Sequence, residues 1–566
     1  MNSIRFKLSV MMFLEFFIWG AWLPLIFGYL PSLGFSEWER SWILNAFAIA
    51  SFVGMFFSNQ FADRNFAAER FLAVSHLIGG ISILALAWTD EISTAMGLRS
   101  EFWPFFILML VHSLFYVPTI SITNSIAFAN LTDAAHSFPR VRLWGTIGWI
   151  AASWPFVFIF VNWAEVPGIG ELGFVSWLGK ALDTPLKGAE AFEATKWTFI
   201  TAGIASLLLA AYSLLLPHTP PRKAKSGEDS FALLESIKLL ALPFMFVLFI
   251  ITFIDAAVHQ CYFIWTDTYL KSVGVGSNWI MPVMSIGQIA EIGTMAFLGY
   301  CLKGLGWRNT MAIGVLGHAI RFAVFALVPF PIPAIAIIAL HGVCYAFFFA
   351  TVYIFVDEFF PKNARTSAQG LFNFLILGFG PFVANFIWPW VGDVTSNVDV
   401  QAEVLRAAQG NSLVISGKVL NPVADGTMTI SHKLGDKDLG DRTVTLDAGG
   451  KFETTFNDVP VGKQSFTFPT QREYYFYPPR PEPFTLAVDT SELPEPAAAA
   501  SDAPAPERVR LAAGKQQNFQ SLFLVPSLTA LVASLALLFF FHPPAKSVDE
   551  TAGQGPKKPK LQAAAH

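Results

Sequence analysis

The apolar run MSIGQIAEIG holds Gln288 and Glu291 three residues apart, so a helix there places both side chains on one face. RLWGTIGW puts Arg142, Thr146 and Trp149 at i, i+4 and i+7, again one face. HQCYF sets Gln260 with Phe263, and HGVCYAFFF sets His341 with Tyr345, in the same way. Four apolar segments thus each carry a polar or aromatic stripe. Carboxamides can bond bidentately to the edge of a planar base, rings can stack on its face for roughly 1–3 kcal/mol, and the Glu291 carboxylate can accept from sugar hydroxyls. Polar groups inside an apolar span are costly unless paired or facing water, which makes each of them a functional candidate. Plainer roles compete: Arg142 as a loop-flanking cation, Thr146 bonding back to its own helix, Gln260 and Gln288 holding helices together, His341 as a satisfied core residue, and the rings as packing. Glu291 is the hardest to dismiss, because a buried carboxylate needs a partner or a proton.

The elements that position these stripes are membrane spans. In 566 residues, 54% hydrophobic with 57 Phe and 17 Trp, only 14% are charged. Water-facing surface cannot be built from that composition. A spanning helix needs about 20 apolar residues, and such segments begin near Leu8, Ser41, Phe71, Trp103, Leu143, Trp197, Leu239, Trp279, Thr310, Ile332, Thr366 and Gln520. The N-terminus runs into the first of them without a small-residue cleavage site, which reads as a retained helix. The net charge of −4 leaves no nucleic-acid footprint. Cys261, Cys301 and Cys344 all sit in apolar runs and suggest neither a disulfide framework nor a metal pair. No nucleophile elbow, Walker loop or HExxH motif points to an enzyme, and no cofactor or metal is expected.

Loop charges orient the spans. Arg5 and Lys7, Arg64 and Arg70, Arg140 and Arg142, Arg222 to Lys225, Lys303 and Arg308, Lys362 and Arg365, and the tail lysines 557, 558 and 560 mark alternate loops, with acids such as Asp90, Glu101 and Glu165 between them. Basic loops stay in the cytoplasm. Both termini are therefore expected there, in a multi-pass protein of the cytoplasmic membrane, acting as a monomer with the lipid bilayer around it. The division expected is residues 1–217 (six spans), linker 218–236, spans seven to eleven at 237–392, insert 393–517, last span 518–541 and basic tail 542–566. Two six-helix halves with a site between them is the layout of a secondary carrier. The insert alternates in strand fashion through LVISGKVL, GTMTISHKL, RTVTLDAGG, KFETTFNDV and KQSFTFP, with turns at Asn421-Pro422, Asp425-Gly426 and Gly449-Gly450. This predicts a small extracytoplasmic β-sandwich. The prolines at 478, 479, 481 and 483 and the run LPEPAAAASDAPAPE read as a linker back to the membrane.

Three resemblances add to this. FADRNFAAERF, with Asp63 and Arg64, is similar to the gating signature of the major facilitator superfamily, with Asn59 where that signature favours Gly. DAGGKFETTFNDVPVGKQSFTF is similar to carboxypeptidase regulatory-like sandwich domains. The segments MMFLEFFIWGAW, FYVPTISITNSIAF, FPRVRLWGTIGW, LPHTP, MSIGQIAEI, HAIRFAVFAL and ARTSAQGLF resemble, in order, the bacterial nucleoside–proton symporter family of that superfamily. This last resemblance implies an all-α twelve-helix bundle importing nucleosides by proton symport, with a site made by Arg142, Thr146, Gln260, Gln288 and Glu291 and aromatic help. The chain departs from the family where Trp149 stands for Phe, Phe263 for an amide, His341 and Tyr345 for two aromatic positions, and Ala346 for an expected acid. Glu291 is then the first candidate for the proton-linked acid, with Glu15 and Asp255 as substitutes. Rival readings are a same-fold carrier of a sugar or nucleobase, and a transport-inactive sensor using the β insert.

Overall fold

The computed structural model describes residues 3–33, 35–54, 66–98, 100–132, 134–221, 238–359, 362–407, 410–419, 426–435, 437–457, 459–468, 484–490 and 507–543. Asp63 and Arg64 lie outside them. Two compact units emerge: the helical one, and a second made of residues 390–525 with 325–328.

Among the described residues, nine helical stretches are long and apolar enough to cross a membrane. One of these holds two spans, because the helix Ile280–Leu327 bends at Gly306, where φ is 73°. Two further spans are Glu37–Val53, short at 17 residues, and Ala134–Ser153, which carries Arg140 and Arg142. The order is α1 (Ser3–Tyr29), α2 (Glu37–Val53), α3 (Ala68–Ala85), α4 (Phe102–Asn130), α5 (Ala134–Ser153), α6 (Lys196–Ser213) and α7 (Pro243–Ser272). Then come α8 and α9, the two arms of Ile280–Leu327, α10 (Pro331–Phe359), α11 (Lys362–Asn373 continuing to Gly380–Thr395) and α12 (Phe519–Phe540). Among the described residues these twelve helices follow the order of the twelve spans expected from the sequence, though the fifth ends at Ser153, ten residues past its expected start near Leu143. Their ends follow local chemistry. Ser36 caps α2 in a reciprocal box with Glu39, and Pro243 opens α7 at a position where its missing N–H costs nothing.

Two spans widen to π-helical turns, Tyr345–Ala350 in α10 and Phe374–Phe379 in α11. Such turns disturb the i to i−4 ladder and concentrate at functional sites. Thr351 Oγ1 donates to the Ala346 carbonyl at 3.0 Å, within the first of them.

Among the described residues of the second unit, eight strands form two antiparallel sheets, β5-β2-β1-β8 and β4-β3-β6-β7. The strands are β1 (Val398–Ala407), β2 (Gly410–Val419), β3 (Thr427–Leu434), β4 (Lys437–Thr445), β5 (Lys451–Phe456), β6 (Lys463–Phe468), β7 (Phe484–Asp489) and β8 (Glu507–Gln516). Alternate residues such as Val400, Ile415, Ile430 and Phe466 share one buried core. Three strands lie beyond the five alternating runs noted above. β1 opens the stretch, and β7 and β8 flank the Pro/Ala-rich segment; β8 takes Glu507, the last residue of LPEPAAAASDAPAPE, so that run is not linker to its end.

Candidate functional site

One cavity of about 300 Å³ lies within the helical unit, at the small end of the ~300–1,000 Å³ typical of ligand pockets. Helices of both halves line it: α1 with Phe16, Trp19 and Trp22, α2 with Phe47, α4 with Asn124, α5, α7, α8, α10 and α11. All nine stripe residues, Arg142, Thr146, Trp149, Gln260, Phe263, Gln288, Glu291, His341 and Tyr345, reach this one cavity.

Close helix packing sets their positions. On α5, Arg142 lays its guanidinium over the Phe16 ring at 3.9 Å, a cation–π contact. Trp149 meets the edge of Trp19 at 5.2 Å, and Trp19 stacks on Phe47 at 5.0 Å. On α8, Glu291 is held by the neighbouring α10, because a Cβ at Gly342 would come within 2.4 Å of the Glu291 backbone nitrogen. Only a glycine lets the two backbones approach so closely.

The cavity wall carries unsatisfied polar atoms. Among the described residues, Asn124 Oδ1, Gln288 Oε1, His259 Nδ1 and the indole nitrogens of Trp19 and Trp22 have no hydrogen-bond partner. Buried polar atoms are otherwise nearly always paired, so a ligand offering both donors and acceptors fits this wall.

Other polar atoms tie the halves together. Gln260 Nε2 donates to Asn385 Oδ1 at 2.9 Å, Asn385 Nδ2 donates to Asn45 Oδ1 at 3.0 Å, and Ser41 Oγ donates to the Asn385 carbonyl at 2.8 Å. This bridge joins α7 and α11 to α2.

The two substitute acids lie elsewhere. Glu15 is fully buried outside the cavity lining, with Oε2 at 2.9 Å from His76 Nε2 and Oε1 accepting from Thr119 Oγ1 at 2.8 Å. Asp255 is also buried and outside the lining, with Oδ1 3.7 Å from His318 Nε2. Residues that sequence periodicity did not single out are Trp19, Asn124, His259 and Asn385. Two had a visible signal: Trp19 stands in FFIWGAW, and His259 directly precedes Gln260.

A twelve-helix bundle whose two halves enclose a largely apolar cavity studded with polar groups defines a membrane transporter of the major-facilitator type rather than an enzyme. The chain belongs to the nucleoside H+ symporter family, whose model matches residues 1–169 and 163–404. A putative nucleoside transporter of Escherichia coli K12 is 34% identical over 382 residues, covering 66% of this chain and 81% of that protein. The xanthosine permease of the same organism is 26% identical over 419 residues, covering 70% and 88%. The crystal structure of nucleoside transporter NupG shares the fold with a TM-score of 0.56 at 24% identity, covering 70% of this chain and 92% of that one.

Proposed function

We propose that this protein imports nucleosides together with protons across the inner membrane, its two halves exposing the cavity alternately to each side. The observation that carries the reading is the meeting of nine stripe residues from α5, α7, α8 and α10 in one cavity with unpaired donors and acceptors on its wall. Gln288 and Gln260 suit the edge of a base, Trp149, Phe263 and Tyr345 suit its faces, and Glu291, with Arg142 and Thr146 near the same wall, suits the ribose hydroxyls. The names of the relatives, nucleoside transporter and xanthosine permease, agree with a nucleoside cargo. The basic loops orient both termini to the cytoplasm. Asp63 and Arg64, by their resemblance, belong to the gate on that side.

Counterflow in proteoliposomes tests the cargo. Labelled uridine and adenosine should exchange and glucose should not; exchange of glucose or of free nucleobases without nucleosides would refute the reading. Rocking of the halves makes a separate prediction at the Asn45–Asn385 bridge. Joining N45C to N385C with a short, reducible thiol crosslinker should cut exchange to the background of empty liposomes, and reduction should restore it. Full exchange through the crosslinked protein would rule out rocking at this contact.

A further inference from the structure

Beside the cavity, reaching its lining only through His259 and His341, lies a cluster whose acid and arginine the nucleoside reading leaves unused. Arg321 on α9 is completely buried. Its Nη2 donates to His318 Nδ1 at 2.8 Å and its Nη1 donates to His341 Nδ1 at 3.1 Å. Its guanidinium also lies over the Tyr262 ring at 4.3 Å. A guanidinium has no acceptor and stays charged, so both imidazoles must accept through Nδ1 and carry their protons on Nε2. His318 Nε2 therefore directs an N–H toward Asp255 Oδ1, 3.7 Å away. That distance exceeds a hydrogen bond. Among the described residues neither Asp255 oxygen has a hydrogen-bond partner. By contrast Glu15 is fixed by its bonds to His76 and Thr119, and Glu291 stands in the cavity wall with Arg142.

The cluster is drawn from three helices. Asp255, His259, Cys261 and Tyr262 come from α7, His318 and Arg321 from α9, and His341 and Cys344 from α10; all are buried except His259, which is partly so. His259 and His341 also line the cavity, with their rings 4.9 Å apart, and the His259 ring is 5.5 Å from that of His318. An aspartate, an arginine and neutral imidazoles together carry no net charge. One added proton changes that, and in an apolar surrounding the change is felt strongly. A buried carboxylate with free lone pairs, an arginine beyond it and imidazoles reaching the cavity is the arrangement such a proton needs.

We propose that this cluster is the proton-binding site of the carrier: Asp255 takes the proton, and His259 and His341 are its route from the cavity. The proton adds to a carboxylate oxygen of Asp255, forming an O–H bond, and leaves by the same route when the cavity faces the other side. No electron transfer or other bond change is involved. The proposal rests on the nucleoside reading, but the following experiment separates the two.

Reconstituted protein is assayed with labelled uridine in two ways: counterflow at equal pH, and uptake driven by an inward acid gradient. A gradient of one pH unit should let wild type accumulate uridine about tenfold if one proton accompanies each molecule. D255N should lose that accumulation while keeping counterflow, and H318Q, which also stands outside the cavity lining, should weaken the gradient response in the same direction. A trapped pH dye should report acid entering with uridine in wild type and not in D255N. Gradient-driven accumulation by D255N equal to wild type would overturn the proposal, as would wild-type uptake with no acid entry. If D255N gives no folded protein, an unaltered gradient response in H318Q overturns it instead. Absence of uridine and adenosine counterflow in wild type would refute the nucleoside reading itself.

Discussion

Glu291→Gln is expected to raise the KM for uridine counterflow by about 10- to 100-fold, since a hydrogen bond to a charged acceptor contributes roughly 1.5–3 kcal/mol. The substitution keeps the shape of the side chain and removes only its charge and one of its acceptors. The residue lines the cavity on the same helix face as Gln288, and Gly342 lets α10 pack against its backbone, so the carboxyl position should survive the change. The diagnostic comparison uses 2′,3′-dideoxyuridine, which lacks the ribose hydroxyls assigned to Glu291. With that substrate the mutant should differ from wild type by no more than about threefold, because the lost hydrogen bonds were never made. An equal loss for both nucleosides would remove Glu291 from the ribose and return it to the proton question. Gln288→Ala makes the complementary case, weakening both nucleosides alike if its amide reads the base.

Much of the cavity was legible because helical periodicity is a local property. Gln288 with Glu291, or Arg142 with Thr146 and Trp149, share a face whatever the rest of the chain does, and the cost of polar groups in an apolar span points them inward. That the four faces meet is a property of the bundle, which the six-and-six arrangement implied in outline but could not locate. The Asp255 cluster shows what periodicity misses. Asp255, His318 and His341 are separated by 63 and 23 residues, and no spacing within one helix links them; three helices must first be packed. HAIRF displays His318 and Arg321 three apart, yet only the structure shows that Arg321 bonds both His318 and His341. The Asn45–Asn385 bridge was hidden for the same reason. Within the second unit none of the five alternating runs covers β1, although Val398, Val400, Ala402 and Val404 alternate and are all buried, and prolines around β7 masked a six-residue strand.

The largest effect on stability is expected at Gly148, where α1 and α5 press closest. A Cβ there would lie 2.1 Å from the Phe13 carbonyl oxygen, and what it meets is backbone, not the movable end of a side chain. Gly148→Val should therefore force the two helices apart, and overpacking of this kind costs about 1–3 kcal/mol or more. The separation reaches the cavity, since Arg142 over Phe16 and Trp149 against Trp19 both depend on the α1–α5 contact. Detergent-solubilised protein should show a lowered melting temperature by size-exclusion chromatography, and the fraction that stays folded should bind uridine more weakly. Gly299→Ala is the control: it lies on α8 with no atom within 4 Å of the added Cβ, and alanine there should be neutral or stabilising by about 0.5–1 kcal/mol through helix propensity. If Gly148→Val melted with wild type, the α1–α5 contact would not be a tight joint, and the placement of Arg142 and Trp149 on the cavity wall would lose its support.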